Sequence, residues 1–260
     1  MEAKYVDRLV NRVKYAGFGE SKEMEIRSRM ANNEPSFSVL YQPDFDKNCQ
    51  ATANIRRSEK GDYFFNNYDV LVNREGAEPL KQTFYVDKAQ QDKDGQWLNS
   101  NISLKEGYNM LEGGRAVLKE YLTKEQERYQ AWTMLDFKNT DQHGNFKIIK
   151  KTDFDLVAKL SEHNLKELAD PEKKLQLIES LQKGNRQQAT RQFNGKEEKI
   201  SIEANPRFKT IKIFAANGRV AQHQSEDKGQ SENQTNTEKL KEDNARNSQG
   251  RSAKRGQGIS

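Results

Sequence analysis

The sequence predicts an α+β fold, in which two small units of antiparallel sheet plus helix are followed by a disordered C-terminal tail. Short runs of alternating apolar and polar residues between turn residues predict the strands. Apolar residues at helical spacing predict the helices, and a final stretch almost without apolar residues predicts the tail. The expected limits of the three parts are 1–100, 101–223 and 224–260.

The first unit begins with an amphipathic helix. Val6, Leu9, Val10 and Val13 have the spacing that lines one helix face. Gly17 follows where a helix commonly ends. The other elements expected in this unit are a helix over 22–31 and strands over 37–41, 50–56, 63–72 and 81–86.

A polar stretch over 87–100 predicts the boundary between the two units. Ser103 and Glu106 then form a capping-box pattern, which predicts the start of a helix at Ser103. Strands are expected over 115–120, 128–137, 145–150 and 208–214, and a helix over 154–162.

A further helix is predicted over 171–182, because Asp170 can cap it, Pro171 suits its first position and Gly184 follows its end. Its expected core stripe is Leu175, Ile178 and Leu181, with Leu177 beside it. The pair Asn194-Gly195 predicts a hairpin after it.

Composition describes a mildly basic and very polar chain. Only 33 % of the residues are hydrophobic, and 44 basic residues stand against 39 acidic ones. This near balance permits phosphate contacts without demanding them. The tail residues that are apolar are Leu240, Ala245, Ala253 and Ile259. Such a segment buries too little surface to offset its ordering entropy, so we interpret it as a solvated tether, with a nucleic-acid arm as the alternative.

Cysteine and hydropathy limit the compartment. Cys49 is the one cysteine, so neither an intramolecular disulfide nor a cysteine metal cluster can form. The N-terminus lacks the apolar run of a signal peptide, and no stretch reaches the roughly 18 apolar residues that span a bilayer. We therefore expect a cytoplasmic protein without a membrane partner.

Sequence motifs predict no catalytic residue. The run Gly17-Phe18-Gly19 lacks the third glycine of a nucleotide-binding loop and follows a helix rather than a strand. A calcium-like loop at 139–150 ends on Lys150, where a glutamate ligand is needed. The histidines are too scattered to bind zinc. We expect neither an enzyme nor a metal, cofactor or small-molecule substrate.

Four runs of residues in the second unit form a specific pattern. They are YNMLEGGRAV at 108–117, YQAWTMLDF at 129–137, ESLQKGNR at 179–186 and IEANPRFKTI at 202–211. They resemble an uncharacterised bacterial family, a domain of unknown function on conjugative and other mobile elements. Its members lie near, or are fused to, DNA-processing proteins of the topoisomerase or primase kind. The chain departs from the family pattern at Thr133-Met134, at Arg207 and at an extra Gly113. The resemblance implies a context but no active site.

The first functional hypothesis is a non-catalytic accessory module of mobile-element DNA processing that binds nucleic acid. Cationic side chains would contact phosphates while exposed aromatic rings stack on bases. The candidate contacts are Tyr129, Trp132, Lys147, Lys150, Lys151, Arg207, Lys209 and Lys212. On sequence alone, an ordinary sheet with core aromatics and solvent-facing cations is favoured over this interface.

The second hypothesis is a protein-interaction adaptor that docks on a larger DNA-processing enzyme without binding DNA directly. It accounts equally well for the balanced charge and the long tail. The partner would therefore be either DNA or a DNA-processing protein, and an enzyme with an unrecognised site ranks last.

Overall fold

The N-terminal helices follow the apolar spacing of the sequence. In the computed structural model, which describes residues 3–193, 195–216 and 218–220, helix α1 is Ala3–Val13. A π-helical turn, Lys14–Phe18, leads to helix α2, Glu23–Ala31. Gly17 has a φ of +109°, and a Cβ there would lie 2.9 Å from the Cβ of Leu104. The turn therefore requires glycine.

A four-stranded antiparallel sheet follows, with its strands in chain order. The strands are β1 (Ser36–Tyr41), β2 (Cys49–Arg57), β3 (Tyr63–Arg74) and β4 (Ala77–Tyr85). Burial alternates along them, so one face packs against the helices in a first hydrophobic core and the other face is open to solvent. The four strands predicted here are confirmed.

The polar stretch after β4 forms a short hairpin of β5 (Gln90–Gln91) and β6 (Trp97–Leu98). Helix α3, Leu104–Gly113, comes next, and the predicted capping box at its start is confirmed. The Ser103 hydroxyl accepts from the Glu106 amide, and the Glu106 carboxylate accepts from the Ser103 amide at 2.8 Å. Gly114 ends the helix in the left-handed conformation.

The next sheet is buried on both faces over its centre. It consists of β7 (Val117–Leu122), β8 (Arg128–Thr140) and β9 (Phe146–Lys151), all antiparallel. Val117 and Leu135 belong to the first core, whereas Trp132 and Met134 belong to a second core. Since side chains alternate along a strand, β8 supplies both cores from opposite faces. We call the face of Leu135 the first face and the face of Trp132 the second face.

Two helices and a last sheet enclose the second core. They are α4 (Leu156–Ser161), α5 (Pro171–Gln182), β10 (Gln187–Phe193), β11 (Lys196–Asn205) and β12 (Thr210–Ala215). Strands β10 and β11 pair as antiparallel neighbours up to Phe193 and Lys196, and Gly195 has the positive φ of a tight turn; Asn194, the other residue of the predicted turn, lies outside the described residues. Strand β11 also pairs with β12.

Two local predictions were wrong. In α5 the predicted core positions Leu181, Leu177 and Ile178 do pack in or against the second core, but Leu175 is 57 % exposed, because it lies on the other side of the helix from these three residues. The last strand begins later than expected: Phe208 lies in a short 3-10 turn, and Lys209 adopts a left-handed conformation that starts the turn into β12.

Buried amide side chains join the first sheet to the second. Gln82 on β4 donates to the carbonyl oxygen of Phe146 at 3.3 Å and accepts from its amide at 2.9 Å. The Asn145 side chain accepts from the amide of Thr83 at 2.9 Å. A buried polar group left unpaired costs about 1–3 kcal/mol, so these bonds fix β4 against the start of β9.

The described residues cluster as one compact unit. Both cores take side chains from β7, β8 and β9, and the first core contains residues from either side of position 100. In the part of the chain that the structure describes, no helix is long and apolar enough to cross a membrane. The tail expected at 224–260 lies outside the described residues.

Two leucines of α5 provide a matched test of the second core. Leu181→Ala is expected to lower the free energy of unfolding by about 2–5 kcal/mol, because it leaves a cavity in a fully buried site. Leu175→Ala, on the exposed side of the same helix, should change it by less than about 0.5 kcal/mol. Urea unfolding followed by circular dichroism measures both. Equal losses for the two variants would contradict the observed orientation of α5.

Candidate nucleic-acid interface

A cleft of about 610 Å³ opens between α1 and the chain that runs from the end of β4 to β7. Helix α1 and the turn after it form one wall, residues 86–103 form the other, and α3 and β7 close the floor. The charged or aromatic side chains that line it are Arg8, Arg12, Tyr15, Asp87, Glu106 and Lys119.

Hydrogen bonds to the backbone hold the two walls together. Arg12 donates from Nη2 to the carbonyl oxygens of Val86, at 3.3 Å, and Asp87, at 2.6 Å. The side-chain amide of Asn101 then closes the loop by bonding both the amide and the carbonyl oxygen of Asp87. Because Arg12 bonds carbonyls rather than a carboxylate, its positive charge stays uncompensated at the mouth of the cleft.

The floor of the cleft is an ion pair between Glu106 and Lys119. Lys119 Nζ lies 3.1 Å and 3.3 Å from the two carboxylate oxygens, and the two side chains are only 11 % and 15 % exposed. The Glu106 carboxylate also accepts from the amide and hydroxyl of Ser103. Removing one partner of such a pair leaves a buried charge, which costs about 3–5 kcal/mol. We therefore regard this pair as the framework of the cleft rather than as its binding group.

A group of aromatic and cationic side chains continues the cleft along β7, β8 and β9. Lys119 and Tyr121 are two residues apart on β7, so they share the first face of the sheet. Tyr129 lies opposite Tyr121 with ring centroids 5.7 Å apart, and Lys150 Nζ is 3.3 Å from the Tyr121 ring centroid. We call Tyr121, Tyr129 and Lys150 the aromatic shelf.

The electrostatics of the shelf connect it to the cleft. Burial lowers the pKa of Lys150, and the negative charge of Asp87 acts in the opposite direction. Burial raises the pKa of Tyr121, while its hydrogen bond with Thr133, 2.7 Å long, lowers it and Asp87 raises it further. Lys119 lines the cleft and is two residues from Tyr121 on β7, so the cleft and the shelf adjoin on the first face.

The balance of charge around the cleft is positive. Arg8, Arg12 and Lys150 form no ion pair with a carboxylate of the described residues, whereas Lys119 is neutralised by Glu106. Asp87 is the opposing charge, and its carboxylate has no ion-pair partner in the described ranges either. The arrangement can therefore hold an anion such as a phosphate, with an aromatic surface beside it.

The structure separates the sequence-predicted contacts on β8 and β9 into two groups. Tyr129 and Lys150 lie on the first face, beside the cleft. Lys147 and Lys151 are exposed on the second face, where Lys151 is the register partner of Trp132. Trp132 is only 2 % exposed, and its indole N–H donates to the carbonyl oxygen of Phe154 at 3.2 Å. Its ring fills the second core and is therefore not accessible to a base.

The remaining predicted contacts surround the turn before β12. Lys209 is paired with Asp153 at 2.6 Å, and Arg207 approaches Asp136 at 3.8 Å while donating to the carbonyl oxygen of Leu135. Lys212 is exposed on β12, opposite Glu203 in the register. The charges of Arg207 and Lys209 are thus compensated within the protein, and this group is not brought together with Lys150.

Four cleft residues were missed by the motif search. Arg8, Asn11, Arg12 and Tyr15 repeat at the same i, i+3, i+4 and i+7 spacing as the buried residues of α1. The sequence signal was present, but polar residues on an amphipathic helix ordinarily face solvent, so spacing alone did not identify a site.

No group of three or more histidine, cysteine, aspartate or glutamate side chains in the described ranges could hold a metal ion. No protein-family model, curated protein or solved structure matches the chain. The functional argument therefore depends on the geometry and charge of the cleft and shelf.

Proposed function

We propose that the chain is a non-catalytic accessory module of mobile-element DNA processing that binds nucleic acid in the cleft and along the aromatic shelf. The observation that carries this proposal is a set of three cations without a carboxylate partner among the described residues: Arg8 and Arg12 line the cleft, and Lys150 lies on the shelf, which shares the first face with the cleft residue Lys119. Nucleic-acid binding is driven mainly by such cations, which release counterions from the phosphates. The family resemblance of residues 103–220 supplies the mobile-element context.

The proposed contact residues differ from those that the sequence predicted. Tyr129 and Lys150 remain in the interface, and Arg8, Arg12 and Tyr121 join them. Trp132 is omitted because it is buried, and Arg207 and Lys209 are omitted because acids already neutralise them. In the same proposal the two units of antiparallel sheet plus helix are 1–100 and 101–223, and the first core takes side chains from both.

The adaptor hypothesis is supported by a different surface. Phe208 is 61 % exposed on the turn before β12, between the compensated side chains of Arg207 and Lys209. An exposed aromatic ring with neutralised neighbours suits a protein contact better than a phosphate backbone, since little counterion release is available there. A complex with a partner protein that resists salt, without binding to bare DNA, would favour this function.

The two adjacent lysines of β9 give a direct test of the proposed face. Lys150→Ala should weaken binding to a labelled single-stranded oligonucleotide about fivefold at low salt and reduce the magnitude of the salt slope by about 0.7, because one of about three phosphate contacts is lost. Lys151→Ala removes the same charge one residue away on the other face and should change the affinity less than about twofold. Fluorescence anisotropy across a salt series measures both, with the wild-type slope expected near −2 for about three contacts.

Reversal of this pattern would contradict the proposal. If Lys151→Ala weakened binding while Lys150→Ala did not, the second face would carry the contact. If the wild-type protein bound no oligonucleotide even at low salt, nucleic-acid binding would be excluded and the adaptor function would be pursued.

Removal of the negative charge of Asp87 should increase the affinity for nucleic acid. Asp87→Asn takes away the carboxylate that faces the cleft and the shelf but keeps the backbone bonds to Asn101. Repulsion between two unit charges about 4 Å apart is about 1 kcal/mol when water screens them fully, so the affinity should rise about fivefold. The control is Glu179→Gln, an exposed acid on α5 that should leave the affinity unchanged. Equal affinities for Asp87→Asn and wild type would place the bound phosphates away from this cleft.

A further inference from the structure

Helix α1 carries two parallel stripes with the same helical spacing. One stripe packs in the first core and consists of Val6, Leu9, Val10 and Val13. The other stripe lines the cleft and consists of Arg8, Asn11 and Arg12 on the helix, continued by Tyr15 in the turn that follows it. Because residues three and four positions apart are neighbours on a helix, the polar stripe forms one continuous surface. It runs from cation to amide to cation and then to an aromatic ring.

Each member of the polar stripe offers a different contact. Arg8 and Arg12 can bind a phosphate group, Arg8 because it has no acid partner in the described ranges and Arg12 through the guanidinium N–H groups not bound to Val86 and Asp87. The Asn11 side-chain amide is exposed and forms no hydrogen bond to another described residue, so its donor and acceptor are both available. Tyr15 is 78 % exposed, and its ring, which Lys14 Nζ approaches to 5.9 Å from the centroid, is accessible for stacking.

The π-helical turn fixes the position of Tyr15 relative to the helix. Tyr15 lies within Lys14–Phe18, and this turn is anchored by Phe18, which is fully buried against Tyr41 and Phe65. Gly17 brings the same turn against Leu104 at the start of α3. An exposed ring on a rigid support loses little entropy on binding, so it is suited to receive a flat ligand.

The size of the cleft selects the form of nucleic acid. A volume of about 610 Å³ is in the range of sites that hold one small ligand, such as a nucleotide. In a duplex the faces of the bases are stacked and their pairing edges are occupied, so neither the Tyr15 ring nor the Asn11 amide could reach them. An unpaired base can reach both, since stacking on aromatic side chains is how single strands are commonly held.

We infer that the cleft takes one nucleotide of a single strand, with its phosphate on Arg8 and Arg12, its base against Tyr15 and its base edge at Asn11. This inference rests on the proposed function and specifies its ligand. The strand then continues over the aromatic shelf, where Tyr129 receives a neighbouring base and Lys150 a neighbouring phosphate.

The test uses the full chain and two labelled single strands of about 15 nucleotides, one composed only of dT and one only of dA. An unlabelled duplex of the same length serves as competitor. The duplex is expected to compete about tenfold less well than the unlabelled single strand. Tyr15→Ala should raise Kd about tenfold at every salt concentration and leave the salt slope unchanged, because stacking releases no counterions. Asn11→Ala should remove the difference between the dT and dA strands.

The controls separate loss of contact from loss of fold. Tyr15 and Asn11 are exposed, and alanine is a better helix former than asparagine, so both variants should unfold at the wild-type temperature. Phe208→Ala removes another exposed aromatic ring, 61 % exposed on the turn before β12, and should leave Kd unchanged. Arg8→Ala should flatten the salt slope, which identifies the phosphate contact independently of the base contact.

The inference and the proposed function fail in different ways. If the duplex competed as well as the single strand, or if Tyr15→Ala bound as tightly as wild type, the single-nucleotide inference would be overturned while salt-dependent binding through Arg8 and Lys150 could stand. If the wild-type protein bound neither oligonucleotide, both would be overturned. If Phe208→Ala weakened binding instead of Tyr15→Ala, the base contact would lie on the turn before β12.

Discussion

Strand β8 is buried on both of its faces, and the arrangement of the whole fold depends on this. Leu135 packs into the first core, and Trp132 and Met134 pack into the second. The residue between the latter two, Thr133, is also buried and bonds with Tyr121. The side chains over the buried centre of this strand must be apolar or internally bonded, and a shift of one residue in its register would exchange the contents of the two cores.

The cleft results from the partial cover of the first face. Near Val117 the first face is covered by α3 and belongs to the first core. At the other end of this face, Tyr121, Tyr129 and Lys150 lie outside the core. Helix α1 and residues 86–103 line the cleft together with Lys119, which is the neighbour of Tyr121 on the first face. The ion pair of Glu106 and Lys119 lies between the packed core and the open cleft. Each of the two charges neutralises the other, which a nearly buried charge requires. The cleft is therefore a consequence of the way in which the sheet of β7, β8 and β9 supplies side chains to both cores.

Local signals in the sequence predicted most elements of the fold. The capping box at Ser103 and the glycine-ended turns have local causes, so they could be located without tertiary information. The buried side of α5 could not be predicted in the same way. Leu175 and Leu177 both fit an apolar stripe, and only packing against β10 and β11 decides which of them is buried. The start of β12 was misplaced for a similar reason: Pro206 and the left-handed Lys209 form a turn that strand alternation does not reveal.

The candidate site could be predicted only in part. Lys150 and Lys151 are adjacent in the sequence, and their assignment to opposite faces requires the register with Trp132. The polar stripe that begins on α1 is visible in the sequence. A polar stripe identifies a binding site only when another part of the chain faces it across a cleft, and the sequence does not show that wall. Charge compensation at Arg207 and Lys209 depends on Asp136 and Asp153, which are distant in sequence. Three-dimensional neighbours therefore decided which cations remain available.

The most direct test of the account is to map the bound strand on the protein by amide chemical-shift changes in nitrogen-15-labelled protein titrated with a single-stranded oligonucleotide. The account predicts saturable changes in residues 8–15 and at Lys119, Tyr121, Tyr129 and Lys150, with residues 206–212 unaffected. Changes concentrated in residues 206–212 and at Lys147 and Lys151, with α1 unaffected, would contradict it.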